Sequence, residues 1–263
     1  WTGEAMRAGV FQCEGGGLTP DERLNKLSAA LRQQKLDLVV CPELFMSGYD
    51  VGDSLPELAE PLEGPFALQV AELARTSHTA IVYGYPERVD GNLYNAAACI
   101  SQEGQLMANH RKLLLPPGAE LRYFKQGGGL TLFDLNGFCC SILICYDAEY
   151  PEAVRAAAEA GAQVIIVPTA LVKKWSTVAL QLMPTRSFEN GVWLLYANHA
   201  GIENESDYFG GSCIVRPDGK DAARAGANEE LIFTELDVDS VTAAQTRLPY
   251  LADVRRLRNI LNE

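Results

Sequence analysis

An α/β fold, with helices packed on mixed sheet, is predicted for this 263-residue chain by three observations. Short apolar runs bounded by turn residues, at 37–41, 163–168 and 192–198, have the length and composition of buried strands. They alternate with segments at 19–34, 65–76 and 151–160 that open on a cap or a proline and continue as helix formers. Two hairpin signals interrupt that alternation: Asn136-Gly137 between residues 130–135 and 138–145, and Gln102-Glu103-Gly104 between 92–100 and 105–110. Strands alternating with helices, together with hairpins, imply a mixed sheet with helices on it.

In order, residues 7–13 form the first expected strand. Thr19-Pro20-Asp21-Glu22 then starts a helix, with Thr19 as N-cap, Pro20 in the first turn and Glu22 closing a capping box. The strand at 37–41 precedes Glu43, and residues 48–64, rich in Pro, Gly and acids, are expected to be a loop that roofs a site and turns its acids to solvent. A helix at 65–76 leads to a strand at 79–85. After Lys112 the run Pro116, Pro117, Gly118 predicts a chain that stays irregular to Tyr123-Phe124, and long irregular pieces in compact domains tend to be functional. Residues 178–190 form a helix that Pro184 kinks or restarts, and strands at 212–215 and 231–236 complete the pattern. From 250 to 261 a helix carries Leu251, Val254, Leu257 and Leu261 as an apolar stripe, which packs on its own chain or on a second copy.

At this length one domain with a large core is expected, and neither a linker nor an internal repeat is visible. Trp1 to Ala5 precede Met6-Arg7 and are expected to be a vector remnant, leaving 6–263 as the domain. Thirty-four acidic residues against 22 basic ones give a net charge of −12, which disfavours a nucleic-acid partner. No run of about 20 apolar residues suggests a membrane span. The seven cysteines are odd in number, lie mostly inside apolar runs and lack paired CxxC spacing, as suits a reducing cytoplasm. Gly15-Gly16-Gly17 and Gly127-Gly128-Gly129 lack the context of phosphate loops and read as flexible turns. With no metal-ligand spacing either, neither metal nor cofactor is expected.

The chemistry concentrates where strands end. Residues 138–145 are an apolar run closing on Cys145, followed by a polar turn and then Pro151, which opens an Ala-rich helix. A thiol there can be presented together with the next backbone N–H. Glu43 and Lys112 also follow apolar runs, so three strand ends carry a carboxylate, an ammonium and a thiol. A free thiol ionises only a few per cent at neutral pH and needs a base or a cation beside it. His78, His110 and His199 offer no persuasive partner and are read as structural, with His110 and His199 as pocket neighbours.

Pro42-Glu43-Leu44-Phe45, Arg111-Lys112-Leu113 and Ile144-Cys145-Tyr146-Asp147 with Pro151-Glu152 resemble, in order and spacing, the three signatures of the nitrilase superfamily of carbon-nitrogen hydrolases. The likeness extends over nearly the whole chain, through Val167-Pro168-Thr169-Ala170, Tyr196-Ala197-Asn198 and Gly210-Gly211-Ser212. It implies a four-layer αββα sandwich. It further implies Cys145 as nucleophile, Glu43 as proton carrier, Lys112 as oxyanion cation and Glu120 as a second carboxylate, although Leu114-Leu115-Pro116-Pro117-Gly118 departs from the pattern common before it. Tyr49, Tyr146, Ala170 and Asn198 become expected substrate-contacting positions, and a two-fold dimer paired near the nucleophile helix becomes the expected assembly. Tyr146-Asp147 is similar to the amidase branches, whereas nitrile hydrolysers usually have Trp-Glu there. Tyr83-Gly-Tyr-Pro-Glu-Arg88 and Leu248-Pro-Tyr-Leu251 resemble bacterial aliphatic amidases, which makes short aliphatic amides, 5-aminopentanamide-like ones among them, the leading expectation. N-carbamoyl amine or nitrile hydrolysis, or a non-catalytic small-molecule binder on the same fold, are the alternatives.

Overall fold

In the structure, a computed structural model that describes residues 5–261, two six-stranded sheets lie face to face. The first is built outward from β1 (Ala5–Gln12), which pairs antiparallel with β14 (Glu230–Asp237) on one side and parallel with β2 (Leu38–Val40) on the other. Next come β3 (Ala80–Val89), parallel to β2, then β4 (Asn92–Ile100) and β5 (Leu106–Arg111), both antiparallel. The second sheet runs, from one edge to the other, β13 (Asp221–Arg224), β12 (Cys213–Val215), β9 (Trp193–Ala197), β8 (Val164–Pro168), β7 (Phe138–Ile142) and β6 (Thr131–Leu135). In its middle, β7, β8 and β9 are parallel.

The period of two along each strand decides the layering. Val10 and Leu38, Val40, Val82, Val164, Ile166, Leu195 and Ile214 point into one shared apolar layer between the sheets. Their neighbours Phe11, Val39 and Ile81 point outward against Leu27 and Leu31 of α1 (Pro20–Leu31) and Phe66 and Val70 of α3 (Pro65–Ser77). On the far side Ile165, Val167 and Leu194 meet Val154 and Ala157 of α6 (Pro151–Glu159) and Met183 of α7 (Met183–Asn190). Strands buried on both faces read as unbroken apolar runs, which is why 37–41 and 163–168 do not alternate. The result is the four-layer αββα sandwich.

The predicted punctuation holds where its chemistry is local. Thr19 Oγ1 accepts from Glu22 N–H at 3.3 Å while Glu22 Oε2 accepts from Thr19 N–H at 2.8 Å, closing the capping box. Asn136 and Gly137, at φ +48° and +79°, make the β6–β7 turn. At Pro184 the helix does not restart: the π-helical segment Val178–Leu182 passes without a break into α7, with Leu182 and Met183 both right-handed helical, and the widened turn accommodates a proline that cannot donate to the preceding ladder.

Two expectations are corrected. The segment after Lys112 is not irregular throughout, because Gly118 at φ +126° opens a single helical turn, α4 (Ala119–Tyr123). Within residues 48–64 there is likewise a short helix, α2 (Leu55–Leu58), and the acids do not all face solvent: Asp50 Oδ2 accepts from Ser206 Oγ at 3.0 Å. Of the expected terminal remnant, Ala5 begins β1 opposite Asp237; residues 1–4 lie outside the described residues. Among the described residues no helix is long and apolar enough to cross a membrane, and no cluster of three metal-ligating side chains occurs.

Candidate active site

Each functional side chain is delivered by a strand that has just ended. Past β2, Cys41 N–H still donates to Val82 O at 2.8 Å, after which Pro42-Glu43-Leu44 turns across β3. The turn passes so close to Gly84 that a Cβ there would lie 2.3 Å from Leu44 N, so glycine is required for the approach. Past β5, Lys112 N–H donates to Asn95 O at 2.8 Å. Past β7, Cys145 sits at φ +46°, ψ −103° at the head of the short helix α5 (Tyr146–Glu149). Such a backbone, costing about 1–3 kcal/mol, persists only where its surroundings over-determine it. Here Cys145 N–H donates to Pro168 O at 2.9 Å, and as the first residue of α5 Tyr146 keeps its N–H outside the helical ladder.

Five polar residues form a closed knot beside the thiol. Lys112 Nζ lies 2.6 Å from Glu43 Oε1 and 2.7 and 2.9 Å from the two oxygens of Glu120. Asn95 Nδ2 donates to Glu43 Oε1 at 2.7 Å and to Glu120 Oε2 at 3.2 Å, and Tyr49 O–H donates to Glu120 Oε1 at 2.7 Å. Glu43 and Lys112 are fully buried, and Glu43 Oε2 has no protein partner. Backbone pins fix the knot from the other sheet: Glu43 N–H donates to Thr169 O at 3.3 Å, and His199 Nε2 meets Glu43 O at 2.8 Å.

The electrostatics divide the labour. Burial, together with the nearby Glu43 carboxylate, pushes the Cys145 thiol up, against the Lys112 ammonium, the Thr169 hydroxyl and the Ala170 N–H, so the thiol is protonated at rest. Burial likewise pushes Glu43 up to about 7, with Lys112 opposing and Glu120 reinforcing the rise. Burial works against charge on Lys112, yet Glu43 and Glu120 outweigh it and raise its pKa, keeping the ammonium charged. Burial and the Arg23 cation push His199 down to about 3, so it is neutral and donates to the backbone. A carboxyl near neutrality, a fixed cation and a protonated thiol can together run proton transfer and acyl transfer.

A cavity of about 840 Å³ opens on this knot, with Tyr49 and Glu120 in its wall. Leu44, Leu55 and Phe124 supply apolar lining, and Lys173, Lys174 and Asp207 supply charge. Of the remaining expected positions, Ala170 and Tyr146 are half-buried beside Cys145, and Tyr146 O–H accepts from Tyr150 O–H at 2.7 Å. Asn198 is fully buried and spends its amide on backbone: Leu171 N–H at 2.7 Å, Leu171 O at 3.0 Å and Gly210 O at 2.8 Å. It therefore shapes the 169–171 wall without facing the cavity.

Asn95 escaped the sequence, and Asp147, although part of the third signature, escaped it as a structural clamp. Asn95, which bridges both carboxylates, was hidden inside β4, where a polar residue preceding Ala-Ala-Ala-Cys-Ile was the available signal. Asp147 is fully buried and accepts from Leu113 N–H at 3.0 Å, Leu114 N–H at 2.9 Å and Ile144 N–H at 3.1 Å. It thus clamps the Lys112 strand end onto the Cys145 turn, with His110 Nε2 at 3.4 Å behind it.

Known proteins of similar sequence and structure are hydrolases and amidases. The chain is 40% identical over 256 residues to the hydrolase in the pqqF 5′ region of Pseudomonas protegens, covering 96% of this chain and 90% of that one. It is 34% identical over 220 residues to an (R)-stereoselective amidase of Pseudomonas sp, covering 83% and 80%. Among solved structures it superposes, at TM-score 0.86 and 29% identity over 98% of both chains, on one variant of an amidase of Nesterenkonia sp. AN1 whose active-site cysteine carries the acetamide moiety of fluoroacetamide. A variant of that amidase in complex with butyramide matches at TM-score 0.83 and 30% identity over 94% and 96%. The carbon-nitrogen hydrolase family profile matches residues 7–246, and the chain belongs to that family of enzymes.

Proposed function

We propose that this enzyme is a cysteine amidase that hydrolyses small aliphatic amides to carboxylic acid and ammonia through a thioester on Cys145. The observation that carries it is Lys112 Nζ held between Glu43 and Glu120 at 2.6 and 2.7 Å, beside a thiol at a strained strand–helix turn. Glu43 takes the Sγ proton as the sulfur attacks the amide carbon. The carbonyl oxygen becomes an oxyanion facing the Lys112 ammonium and the Tyr146 N–H, and one such donor is typically worth about 10²- to 10³-fold in rate. Glu43 returns its proton to the amide nitrogen, the C–N bond breaks and ammonia leaves. Glu43 then takes a proton from water, whose oxygen attacks the thioester; the C–S bond breaks, and the acid and the thiol are restored. Glu120 keeps Lys112 in place, Tyr49 holds Glu120, and Ala170 and Tyr146 flank the acyl group.

The butyramide complex and the fluoroacetamide adduct of the Nesterenkonia amidase support small amides as the substrate class. Ammonia release over a panel of acetamide, butyramide, 5-aminopentanamide, butyronitrile and an N-carbamoyl amine tests it. Turnover of the amides, with hydroxylamine diverting product to the hydroxamate, is the expected result. Exclusive turnover of the nitrile or the carbamoyl compound would overturn it.

The working unit is proposed to be a two-fold dimer in the cytoplasm. Along α9 (Tyr250–Leu261), Leu251 packs into its own chain's core while Leu257, Ile260 and Leu261 are 49%, 73% and 57% exposed, leaving an apolar strip close to α6 for a second copy. Cys13, Cys41, Cys99, Cys140 and Cys213 are buried free thiols used as core residues, in keeping with a reducing compartment. Light scattering at micromolar concentration is expected to give twice the 28.6 kDa chain mass; a clean 28.6 kDa species would remove the dimer.

A further inference from the structure

Glu203 belongs to the two-residue strand β10 (Ile202–Glu203), which forms a hairpin with β11 (Ser206–Asp207) far from the three strand ends in sequence. It is 2% exposed and faces Arg23 of α1, which is fully buried, with Nη2 and Oε1 3.3 Å apart. Arg23 spends its other contacts on Gly15 O at 2.5 Å and Glu14 O at 3.4 Å, so its guanidinium cannot turn away. A buried ion pair is weak evidence for stabilisation, because desolvating both charges offsets their attraction; orientation is the better-attested use of such a pair.

The orientation here is specific. Glu203 Oε2 accepts three hydrogen bonds: from Tyr49 N–H at 3.0 Å, Asp50 N–H at 2.8 Å and Tyr208 O–H at 2.5 Å. The carboxylate reaches those amides only because Gly48, at φ +86°, has no side chain; a Cβ there would stand 2.1 Å from Glu203 Oε1. From the corner so fixed, the Tyr49 side chain runs inward to Glu120 Oε1 at 2.7 Å, the same oxygen that Lys112 Nζ meets at 2.7 Å.

We propose that Glu203 is a positioning residue for the reaction: held by Arg23, it pins the Tyr49–Asp50 corner and so sets, through the Tyr49 hydroxyl, where Glu120 holds Lys112. The same hairpin carries Glu205, Ser206 and Asp207 in the cavity wall, so one carboxylate locks two sides of the cavity together. This rests on the mechanism proposed above, in which Lys112 meets the oxyanion.

Glu203→Gln, Tyr49→Phe and the double variant of the full chain test it, using the fastest amide of the panel. Each single change is expected to lower kcat by about 10- to 100-fold with little change in KM, the scale of a misplacement near 1 Å. If Glu203 acts through Tyr49, the double variant is no slower than Tyr49→Phe alone, to within about twofold. Losses that multiply, or wild-type kcat in either single variant, would overturn the proposal. Should Glu203→Gln fail to fold, Tyr208→Phe, which removes one donor from the same oxygen, takes its place in the cycle. It is expected to lower kcat with Tyr49 present and leave kcat unchanged in Tyr49→Phe; equal loss in both backgrounds, or no loss, overturns it. Cys145→Ala run alongside separates the two failures: turnover by that variant sinks the mechanism, whereas full activity in Glu203→Gln beside an inactive Cys145→Ala removes only the relay.

Discussion

Replacing Cys145 with alanine is expected to remove amide turnover to background, a loss on the order of 10⁴-fold or more, while leaving the fold intact. The change deletes one sulfur from a half-buried position whose backbone is held by the Cys145 N–H bond to Pro168 O at 2.9 Å, so little packing is lost. Alanine substitution of the other six cysteines should spare kcat: Cys99 and Cys140 lie in the layer between the sheets, Cys13 and Cys41 in the layer under α1 and α3, Cys213 in the layer under α6 and α7, and Cys139 pairs with Asp134 on the β6–β7 hairpin. Rapid quenching of the wild type should trap protein heavier by the acyl group on the peptide carrying Cys145. Ordinary turnover by Cys145→Ala, or an equally essential second cysteine, would refute the thioester route.

Glu43→Gln should cost about 10²- to 10⁴-fold in kcat, since glutamine fills the same space and keeps a contact to Lys112 but carries no proton. The wild-type pH profile reports the same group. Burial holds Glu43 near 7, so below that pH the carboxyl is protonated and cannot take the Sγ proton, and above it the base is present. The acid limb of kcat/KM is therefore expected to rise through about 7 rather than near the ordinary 4.5 of a glutamic acid. A variant retaining more than about one per cent of the rate, or a limb centred below about 5, would show that Glu43 is not the proton carrier.

Glu43, Lys112 and Cys145 were legible as candidates because each follows an apolar run, and their expected roles came from the order and spacing of three signatures that resemble the family's. Of the fold, the pattern showed helices on a mixed sheet, since runs such as Leu38-Val39-Val40 and Val164-Ile165-Ile166 are apolar on both faces and both need cover; the four-layer sandwich came from the family resemblance. What could not be read joins residues by contact over long separations. Asn95 meets Glu43 across 52 residues, Asp147 meets Leu113 across 34, and Glu203 meets Tyr49 across 154. Each is an ordinary polar residue until the sheets are laid together. The helical turn at 119–123 was missed because two prolines and a glycine before it signal only a break. The edge strand β13 was missed because Asp-Ala-Ala-Arg carries no apolar alternation.

Glu43 and Lys112 extend from one sheet and Cys145 from the other, so the distance between carboxylate and thiol is gauged by the thickness of what separates the sheets. That spacer is the shared apolar layer, and several of its members are small: Ala8, Ala80, Ala97 and Ala197 stand among larger neighbours such as Trp193 and Phe138. Stacked sheets keep about 10 Å between them, and cores answer even one added methylene by shifting backbone. Residues that touch neither substrate nor reacting atom therefore act as shims. The calibration of this enzyme lies as much in the bulk of its innermost alanines as in the chemistry at its rim.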